Sequence, residues 1–248
     1  MMVLWVISLL LKDSSIIDIF WGPGFVLACW IYFICTPQGY PFRKWLLTIL
    51  VTIWGLRLGL HIFLRNLGKG EDFRYRKWRE QADGNWWIIS LFKVFLLQGV
   101  LLWIISAPLL PAQITATPER LIYLDYLALA IWLVGFFFEA IGDWQLARFK
   151  ANPANRGKVL NTGLWRYTRH PNYFGDAMQW WGYFLFAAAA GGWWTIFSPV
   201  IMTILLLRVS GVTLLERNLQ DTREGYQEYI RNTSGFIPWF PGKSDERR

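Results

Sequence analysis

Long runs of apolar residues restrict the fold of this chain more than any other feature. About 20 apolar residues in a helix cover the roughly 30 Å of a bilayer core, and a helix satisfies its own backbone there without water. The first run is too short to cross, and is either a half-helix or the remnant of a longer span. We predict an all-α, polytopic integral membrane protein with about seven transmembrane helices, from these runs: 1–11, 15–36, 45–64, 87–110, 121–147, 174–190 and 193–215.

The composition agrees with burial in lipid. Of the 248 residues, 54% are hydrophobic and only 17% are charged, whereas soluble domains carry about 25% charged residues. The 17 tryptophans are typical of interfacial belts, where an indole ring lies at headgroup depth. A soluble protein with a large core is the alternative, and the length of the apolar runs argues against it. We find no internal repeat or second domain, and therefore predict one domain covering residues 1–248.

Basic residues are concentrated in alternate connections between the apolar runs. Connections 65–87 and 148–172 and the tail 216–248 each carry six Lys or Arg, whereas 111–119 carries none. Basic loops stay on the cytoplasmic side, which predicts a cytoplasmic C-terminus, with Arg43-Lys44 as an exception. Topology therefore explains the net charge of +8. We expect the lipid bilayer, and no nucleic acid, as a partner.

Metal ligands and paired thiols are scarce. Cys29 and Cys35 lie in one apolar run, and His61 and His170 are the two histidines of the chain. We therefore expect no disulfide framework and no metal site. The N-terminus lacks the basic region and small-residue cleavage site of a secretory signal, so we expect no cleavable signal peptide.

The N-terminal half carries a basic face within an apolar run. Arg57, His61 and Arg65 repeat at every fourth position, so they share one face of a helix that should look into a polar interior. Arg65 lies at the helix end, where its side chain can extend to the interface. Arg57 is deeper and needs a counter-charge, for which Asp18 is the candidate. Asp18 is either this structural partner or a proton donor.

The connection after this run alternates acidic, basic and aromatic residues. Most of the sequence Glu71-Asp-Phe-Arg-Tyr-Arg76 is expected to be solvated surface. Asp72 and Tyr75 are candidates to close over a cofactor from the cytoplasmic side.

Two carboxylates lie near the end of the 121–147 run. Glu139 and Asp143 are four residues apart, so both project from one helix face. They are suited to accept hydrogen bonds from ribose hydroxyls or an adenine amine. Salt bridges to Arg148 or Lys150 are an equally good interpretation.

The 148–172 connection has six cations and no acid, as a diphosphate and a 2′-phosphate would require. For a single lysine such as Lys150 or Lys158, contact with lipid headgroups or a role in topology alone is the stronger interpretation. Arg169 differs because it lies beside His170, just before a helix start signalled by Pro171. Free backbone N–H groups at a helix start also favour anions.

A polar face follows at the start of the 174–190 run. Asn172, Asp176 and Trp180 are spaced by four residues, with Tyr173 beside them. Such groups are unfavourable to bury without partners, and they suit a heteroaromatic carboxamide or a ribose. Mutual capping at the helix start is the alternative. Glu216 places another carboxylate at a helix end.

Several motifs closely resemble the bacterial branch of the steroid 5-alpha-reductase superfamily, the DUF1295 group. They are Gly163–Asp176, Ser210–Glu216 and Phe236–Pro241, with Asp18–Gly22 and Gly70–Tyr75 in the N-terminal half. The resemblance implies a seven-helix reductase of a bacterial inner membrane that holds NADPH in a cytoplasm-facing cavity. It also implies a hydrophobic small-molecule or lipid substrate, an enone or enoyl compound whose carbon–carbon double bond is reduced.

The resemblance extends to individual cofactor positions. By local motif match, the following residues fall where the steroid reductases contact their cofactor: Glu139, Asp143, Lys158, Asn172 and Asp176. The substrate end departs from the family pattern, in which an acid and a tyrosine act on the ketone. Ile62 stands where that tyrosine is expected. The expected catalytic residues are therefore Asp18, Arg57 and His61.

A membrane methyltransferase is the alternative function. The isoprenylcysteine carboxyl methyltransferases share an Arg-His-Pro-x-Tyr-x-Gly motif, which Arg169–Gly175 also matches. Those enzymes use S-adenosylmethionine and carry paired glutamates where this chain has Glu216-Arg217. Asn172 followed by Asp176 favours the reductases. A transporter or scaffold ranks last, because it would place polar groups through the depth of several helices.

Overall fold

The computed structural model describes residues 1–209, 216, 223 and 225–242, and over these residues the chain is helical with no β-strand. The predicted all-α class is therefore confirmed for the described part of the chain. The Ser210–Glu216 motif lies outside it except for its last residue. Contacts divide the chain into two compact units: Met1–Leu121 with Ala189–Gly192, and Ile122–Ala188 with Trp193–Arg248.

The first unit contains the N-terminal helices. Its elements are α1 (Met2–Leu11), α2 (Ile16–Cys35), α3 (Pro41–Asn66), α4 (Phe73–Glu80), α5 (Trp86–Ile105) and α6 (Pro111–Ile114). Residues 91–96 of α5 form a π-helical turn. α2, α3 and α5 are each long and apolar enough to cross a bilayer, in agreement with the runs predicted from the sequence.

Small residues allow the longest helices of this unit to approach closely. Gly22 of α2 faces Gly55 of α3, and a Cβ on Gly55 would lie 2.6 Å from the Gly22 carbonyl oxygen. One turn further along α3, a Cβ on Gly59 would lie 2.8 Å from the ring of Pro23. Without a hydrophobic driving force in lipid, such close backbone packing is what holds membrane helices together.

Arg43 and Lys44, the exceptions to the charge rule, are buried near the start of α3. Lys44 Nζ donates to the Phe33 carbonyl oxygen at 3.0 Å, and Arg43 Nη2 donates to the Arg120 carbonyl oxygen at 3.3 Å. Their charges therefore bind backbone carbonyls at the ends of neighbouring segments. These hydrogen bonds give Arg43 and Lys44 a structural role, which explains their presence in a connection where the topology predicts no basic residues.

The second unit contains the C-terminal helices. Its elements are α7 (Tyr123–Ala151), α8 (Pro171–Ala189), α9 (Phe197–Ile204), continued by a π-helical turn over Leu205–Val209, and α10 (Tyr226–Asn232). α7 is the fourth helix with the length and hydropathy of a membrane span. An integral membrane protein is thus supported by four helices among the described residues, and the count of seven stays a prediction.

α7 and α8 cross at glycines. A Cβ on Gly135 would lie 2.6 Å from the Gly175 carbonyl oxygen, and one on Gly142 would lie 3.1 Å from Pro171. The crossing therefore requires residues without side chains at its centre. It brings the acidic face of α7, at Glu139 and Asp143, against the amide-bearing face of α8.

Candidate functional site

The first unit contains a buried tyrosine hydrogen-bonded to an acid. Tyr75 Oη donates to Asp18 Oδ1 at 2.7 Å, and Arg74 Nη2 bonds to Asp18 Oδ2 at 2.7 Å. The Tyr75 side chain is only 3% exposed and lies in a core with Ile17 and Phe95. Asp18 therefore has one partner on each carboxylate oxygen, both from α4.

An amide from α5 completes this arrangement. Gln98 Nε2 donates to Tyr75 Oη at 3.2 Å, and Trp21 Nε1 donates to Gln98 Oε1 at 2.6 Å. The indole bond fixes which end of the amide faces the tyrosine. We call this set the tyrosine network: Asp18, Trp21, Asp72, Arg74, Tyr75 and Gln98.

The segment before α4 is attached to the start of α2 by side-chain bonds. Glu71 accepts from the Ser14 backbone N–H at 2.7 Å and from two Arg79 nitrogens at 2.8 and 3.0 Å. Asp72 Oδ1 caps α4 by accepting from the Arg74 backbone N–H at 3.0 Å and from Arg74 Nε at 2.9 Å. These bonds fix α4 and thereby the position of the Tyr75 ring.

The charge states of the network follow from these contacts. Burial, together with the negative charge of Asp18, raises the pKa of the Tyr75 phenol, so Tyr75 keeps its proton at neutral pH. Burial alone would raise the pKa of Asp72, but hydrogen bonds from Arg74 outweigh burial and lower that pKa. Asp72 is therefore an anion that orients Arg74 toward Asp18.

The other residues predicted for the substrate end lie on α3. Arg57 and His61 are half-buried, and Arg65 is exposed. The positive charge of Arg65 contributes to the lowered pKa of Asp72, which places Arg65 near the tyrosine network. The catalytic roles of Arg57 and His61 stay predictions.

Gln98 and Arg74 are functional candidates that the sequence alone did not predict. Gln98 is the single amide of the run 87–110, which also holds Lys93 and two serines, and a polar group within a membrane helix is a signal that could have identified it. Arg74 was included only as one of six cations in its connection. Of the two residues expected over a cofactor, Tyr75 bonds to Asp18 and Asp72 bonds to Arg74.

The second unit pairs acids of α7 with amides of α8. Asn172 Nδ2 donates to Asp143 Oδ1 at 3.1 Å, and Gln179 Nε2 donates to Glu139 Oε2 at 2.6 Å. Both carboxylates are buried, at 3% exposure for Glu139 and 6% for Asp143. The alternative pairing with Arg148 has a competing contact, because that guanidinium lies over the Trp144 ring.

Two acceptors in this cluster fit a polar ligand. Oδ1 of Asn172 and Oε1 of Gln179 are buried and, among the described residues, have no hydrogen-bond partner. A buried acceptor without a donor is unfavourable by about 1–3 kcal/mol. Ribose hydroxyls and a carboxamide NH₂ would supply such donors. Gln179 was not predicted from the sequence, and it shares one face of α8 with the predicted Asn172 and Asp176.

Arg169 uses its donors within the protein. Its Nε bonds to Glu216 Oε1 at 2.7 Å, and its Nη1 donates to the carbonyl oxygens of Ile230 at 3.1 Å and Thr233 at 2.5 Å. His170 Nε2 lies 3.1 Å from the same Glu216 oxygen. We call Arg169, His170 and Glu216 the arginine clamp, since they attach the start of α8 to the C-terminal segment.

The predicted phosphate contacts lie on the surface of the second unit. Lys150 and Lys158 are exposed, as are Arg156 and Arg166. Tyr173 is half-buried and stacks on the His170 ring, with centroids 5.5 Å apart and an interplanar angle of 3°. The exposed cations, rather than the engaged Arg169, are therefore suited to bind phosphate oxygens.

The arginine clamp predicts an acid-sensitive stability. Burial alone would raise the pKa of the Glu216 carboxyl, but hydrogen bonds from His170 and Arg169 outweigh burial and hold that pKa at about 2. A carboxyl with a lowered pKa stabilises the folded state above its unfolded pKa, and this contribution is lost as pH falls toward the folded value.

We therefore expect the thermal unfolding temperature of the wild type to fall between about pH 5 and pH 2. Glu216→Gln should be less stable at neutral pH and should flatten this decline. Glu228→Gln, at an exposed position of α10, is the matched control and should leave the profile unchanged. An identical acid decline in the Glu216 variant would contradict the assignment.

The fold, the tyrosine network and the acid–amide cluster formed by Asp143–Asn172 and Glu139–Gln179 define a helical integral membrane protein with buried acids and amides. The family model described as a protein of unknown function, DUF1295, matches residues 4–233. The chain therefore belongs to the DUF1295 family, as its motifs predicted.

One curated relative extends this comparison. Uncharacterized protein C594.04c of Schizosaccharomyces pombe is 28% identical over 212 residues, which cover 75% of this chain and 60% of the relative. This chain thus spans less than two thirds of the length of that relative. No solved structure matches the chain.

Proposed function

We propose that this protein is an NADPH-dependent membrane reductase acting on a carbon–carbon double bond conjugated to a carbonyl, in a lipid or steroid-like substrate. The observation that carries the proposal is the buried Tyr75 hydroxyl, which donates to Asp18 and accepts from Gln98. Reduction of a conjugated double bond needs a protonated group beside the carbonyl oxygen. A phenol with a raised pKa supplies one.

The tyrosine network can act on the substrate oxygen directly. When bound, NADPH supplies the hydride that adds to the β-carbon of the acceptor. Negative charge then develops on the carbonyl oxygen, and a hydrogen bond from Tyr75 Oη stabilises it. The second hydrogen, a proton from Tyr75, reaches the α-carbon by way of the enol oxygen. The products are the saturated carbonyl compound and NADP⁺.

The neighbours of Tyr75 support this proton transfer. Gln98 donates to the phenol oxygen at 3.2 Å, so its amide stabilises the oxygen once the proton has left. The Asp18 carboxylate, 2.7 Å from the same oxygen, keeps Tyr75 protonated before the substrate binds, and water returns the proton to Tyr75 after turnover. Arg74 holds Asp18 in place through the second carboxylate oxygen.

The polar cluster of the second unit would hold the cofactor. The buried acceptors of Asn172 and Gln179, with the carboxylates of Glu139 and Asp143, suit ribose hydroxyls and a carboxamide. The exposed Lys150, Arg156, Lys158 and Arg166 suit the phosphates.

Methyl transfer from S-adenosylmethionine requires a different catalytic group. The acceptor attacks the methyl carbon as a nucleophile, so a protonated phenol bonded to an acid contributes nothing to that step. The tyrosine network therefore favours the reductase proposal over the methyltransferase alternative.

Ligand-dependent stability tests the proposal. A ligand present at about a hundred times its dissociation constant stabilises a protein by roughly 2.7 kcal/mol. We expect NADPH to raise the thermal unfolding temperature of the purified protein, and S-adenosylmethionine to leave it unchanged. Asn172→Ala should need about tenfold more NADPH for the same shift, since it loses a polar contact of about 1.4 kcal/mol.

Asn161→Ala is the control, because Asn161 is an exposed asparagine of the same unit and should respond as the wild type does. Stabilisation by S-adenosylmethionine and not by NADPH would replace the reductase with a methyltransferase. An unchanged NADPH response in Asn172→Ala would remove the proposed cofactor site.

A further inference from the structure

A groove runs beside the C-terminal end of α7, within the second unit. It is open on one side, has a volume of about 530 Å³, and is lined by the last two turns of the helix and by the connection that follows. Its walls include the side chains of Trp144, Arg148, Phe149, Asn152 and Asn155. None of them belongs to the acid–amide cluster or to the arginine clamp.

We infer that this groove binds the phosphate headgroup of an anionic phospholipid. Its lining combines the two chemistries that such a ligand needs. Arg148 supplies a guanidinium, which pairs with phosphate oxygens in fork geometry. Trp144 and Phe149 supply apolar surface for the glycerol and the first acyl carbons.

The polar groups of the groove are already oriented. Asn152 Oδ1 accepts from the Ala154 backbone N–H at 3.0 Å, which leaves the amide NH₂ as the donor for a ligand. Asn155 Nδ2 donates to the Phe149 carbonyl oxygen at 3.0 Å. The Arg148 guanidinium lies 5.5 Å from the centroid of the Trp144 ring, a cation–π contact that limits its rotamers.

The position along α7 agrees with a headgroup site. α7 has 29 residues, and at 1.5 Å per residue its length of about 43 Å exceeds the roughly 30 Å of a bilayer core. Its last turns therefore extend into the headgroup region. Trp144 is 54% exposed there, as expected for an indole of the interfacial belt.

Charge favours an anionic lipid over a zwitterionic one. The 148–172 connection carries six cations and no acid, and Arg148, Lys150, Arg156 and Lys158 are all exposed. A basic pocket next to a membrane helix is the arrangement that recognises anionic headgroups. Phosphatidylcholine would bring its own ammonium group into this positive field.

Thermal unfolding in lipid nanodiscs tests the inference. Wild-type protein is compared in phosphatidylcholine alone and in phosphatidylcholine with phosphatidylglycerol, in each case without a nucleotide. We expect phosphatidylglycerol to raise the unfolding temperature of the wild type and of the charge-matched control Arg231→Gln, which lies outside the groove. Arg148→Gln should lose the shift. Native mass spectrometry should show about tenfold weaker retention of phosphatidylglycerol by that variant, the effect of one lost charge-assisted hydrogen bond.

A second variant keeps the inference testable if Arg148→Gln fails to fold. Asn152→Asp keeps an oxygen acceptor for the Ala154 backbone N–H and places a negative charge in the groove. It should abolish the phosphatidylglycerol shift while its stability in phosphatidylcholine stays near that of the wild type. An equal shift in Arg148→Gln and Arg231→Gln, or a retained shift in Asn152→Asp, would overturn the inference.

Two further arms separate the possible sources of phosphate. Inorganic phosphate added to phosphatidylcholine nanodiscs should have no effect, and an equal shift from it would overturn the lipid assignment. NADP⁺ should stabilise Arg148→Gln as it does the wild type. Loss of that response would assign the groove to a nucleotide phosphate instead. Because the lipid arms contain no nucleotide, they fail or succeed independently of the reductase proposal.

Discussion

Replacing Tyr75 by phenylalanine is expected to lower the rate of double-bond reduction by about 10²–10⁴-fold, the usual contribution of a general acid. The ring would still fill its place in the core beside Ile17 and Phe95. Only the hydroxyl that bonds to Asp18 and Gln98 would be lost. NADPH binding should stay near the wild-type value, because the proposed cofactor residues lie on other helices.

The measurement is NADPH consumption by reconstituted protein with a long-chain alkenone as the acceptor, together with NADPH-dependent thermal stabilisation. Tyr126→Phe is the matched control, since Tyr126 is 60% exposed and should retain full activity. Gln98→Leu should show a smaller loss than Tyr75→Phe, because it removes a supporting bond and leaves the proton donor. Wild-type turnover by Tyr75→Phe would disprove the assigned role of the phenol.

Replacing Arg169 by methionine is expected to destabilise the protein by about 1.5–3 kcal/mol, the usual contribution of hydrogen bonds to a charged group, because the Arg169–Glu216 pair is half-buried. The Glu216 carboxylate would lose its bond to Arg169 Nε, and the carbonyls of Ile230 and Thr233 would lose theirs to Nη1. This loss should appear without any ligand present, because every one of these partners belongs to the chain itself.

Thermal unfolding in the absence of nucleotide measures this effect. Arg166→Met is the control, because Arg166 is an exposed cation three residues earlier and its loss should change stability little. Arg169→Lys should be intermediate, since an ammonium can pair with Glu216 but lacks the planar fork. Unchanged stability with weakened NADPH binding would show that Arg169 acts as a phosphate ligand, as the sequence first suggested.

The helices and their polar faces could be predicted because they depend on local chemistry. The run 121–147 corresponds to α7 at Tyr123–Ala151, since lipid demands a continuous apolar helix of that length. Pro171 marks the start of α8 as predicted, because proline is tolerated in the first helical turn. Glu139 and Asp143 lie on one face of α7 for the same reason, the period of the helix.

The partners of these faces could not be predicted in the same way. Glu139 bonds to Gln179, which is 40 residues away in sequence, because α7 and α8 cross where Gly135 meets Gly175. The sequence predicted that Arg169 is a phosphate ligand, because it lies just before a helix start. The structure shows its donors on Glu216 and two carbonyls, since the C-terminal segment folds back over that start.

By itself, the sequence determined that the chain is a helical membrane protein of the DUF1295 family, and it determined which helix faces are polar. Hydrophobic length and helical period are local properties, so they can be read along the chain. Only the tertiary structure decided that Tyr75 meets Asp18, 57 residues away, and that Gln98 of α5 reaches the same hydroxyl. Such bonds depend on how Glu71 and Asp72 attach α4 to the start of α2. That attachment cannot be predicted from the spacing of residues along the chain.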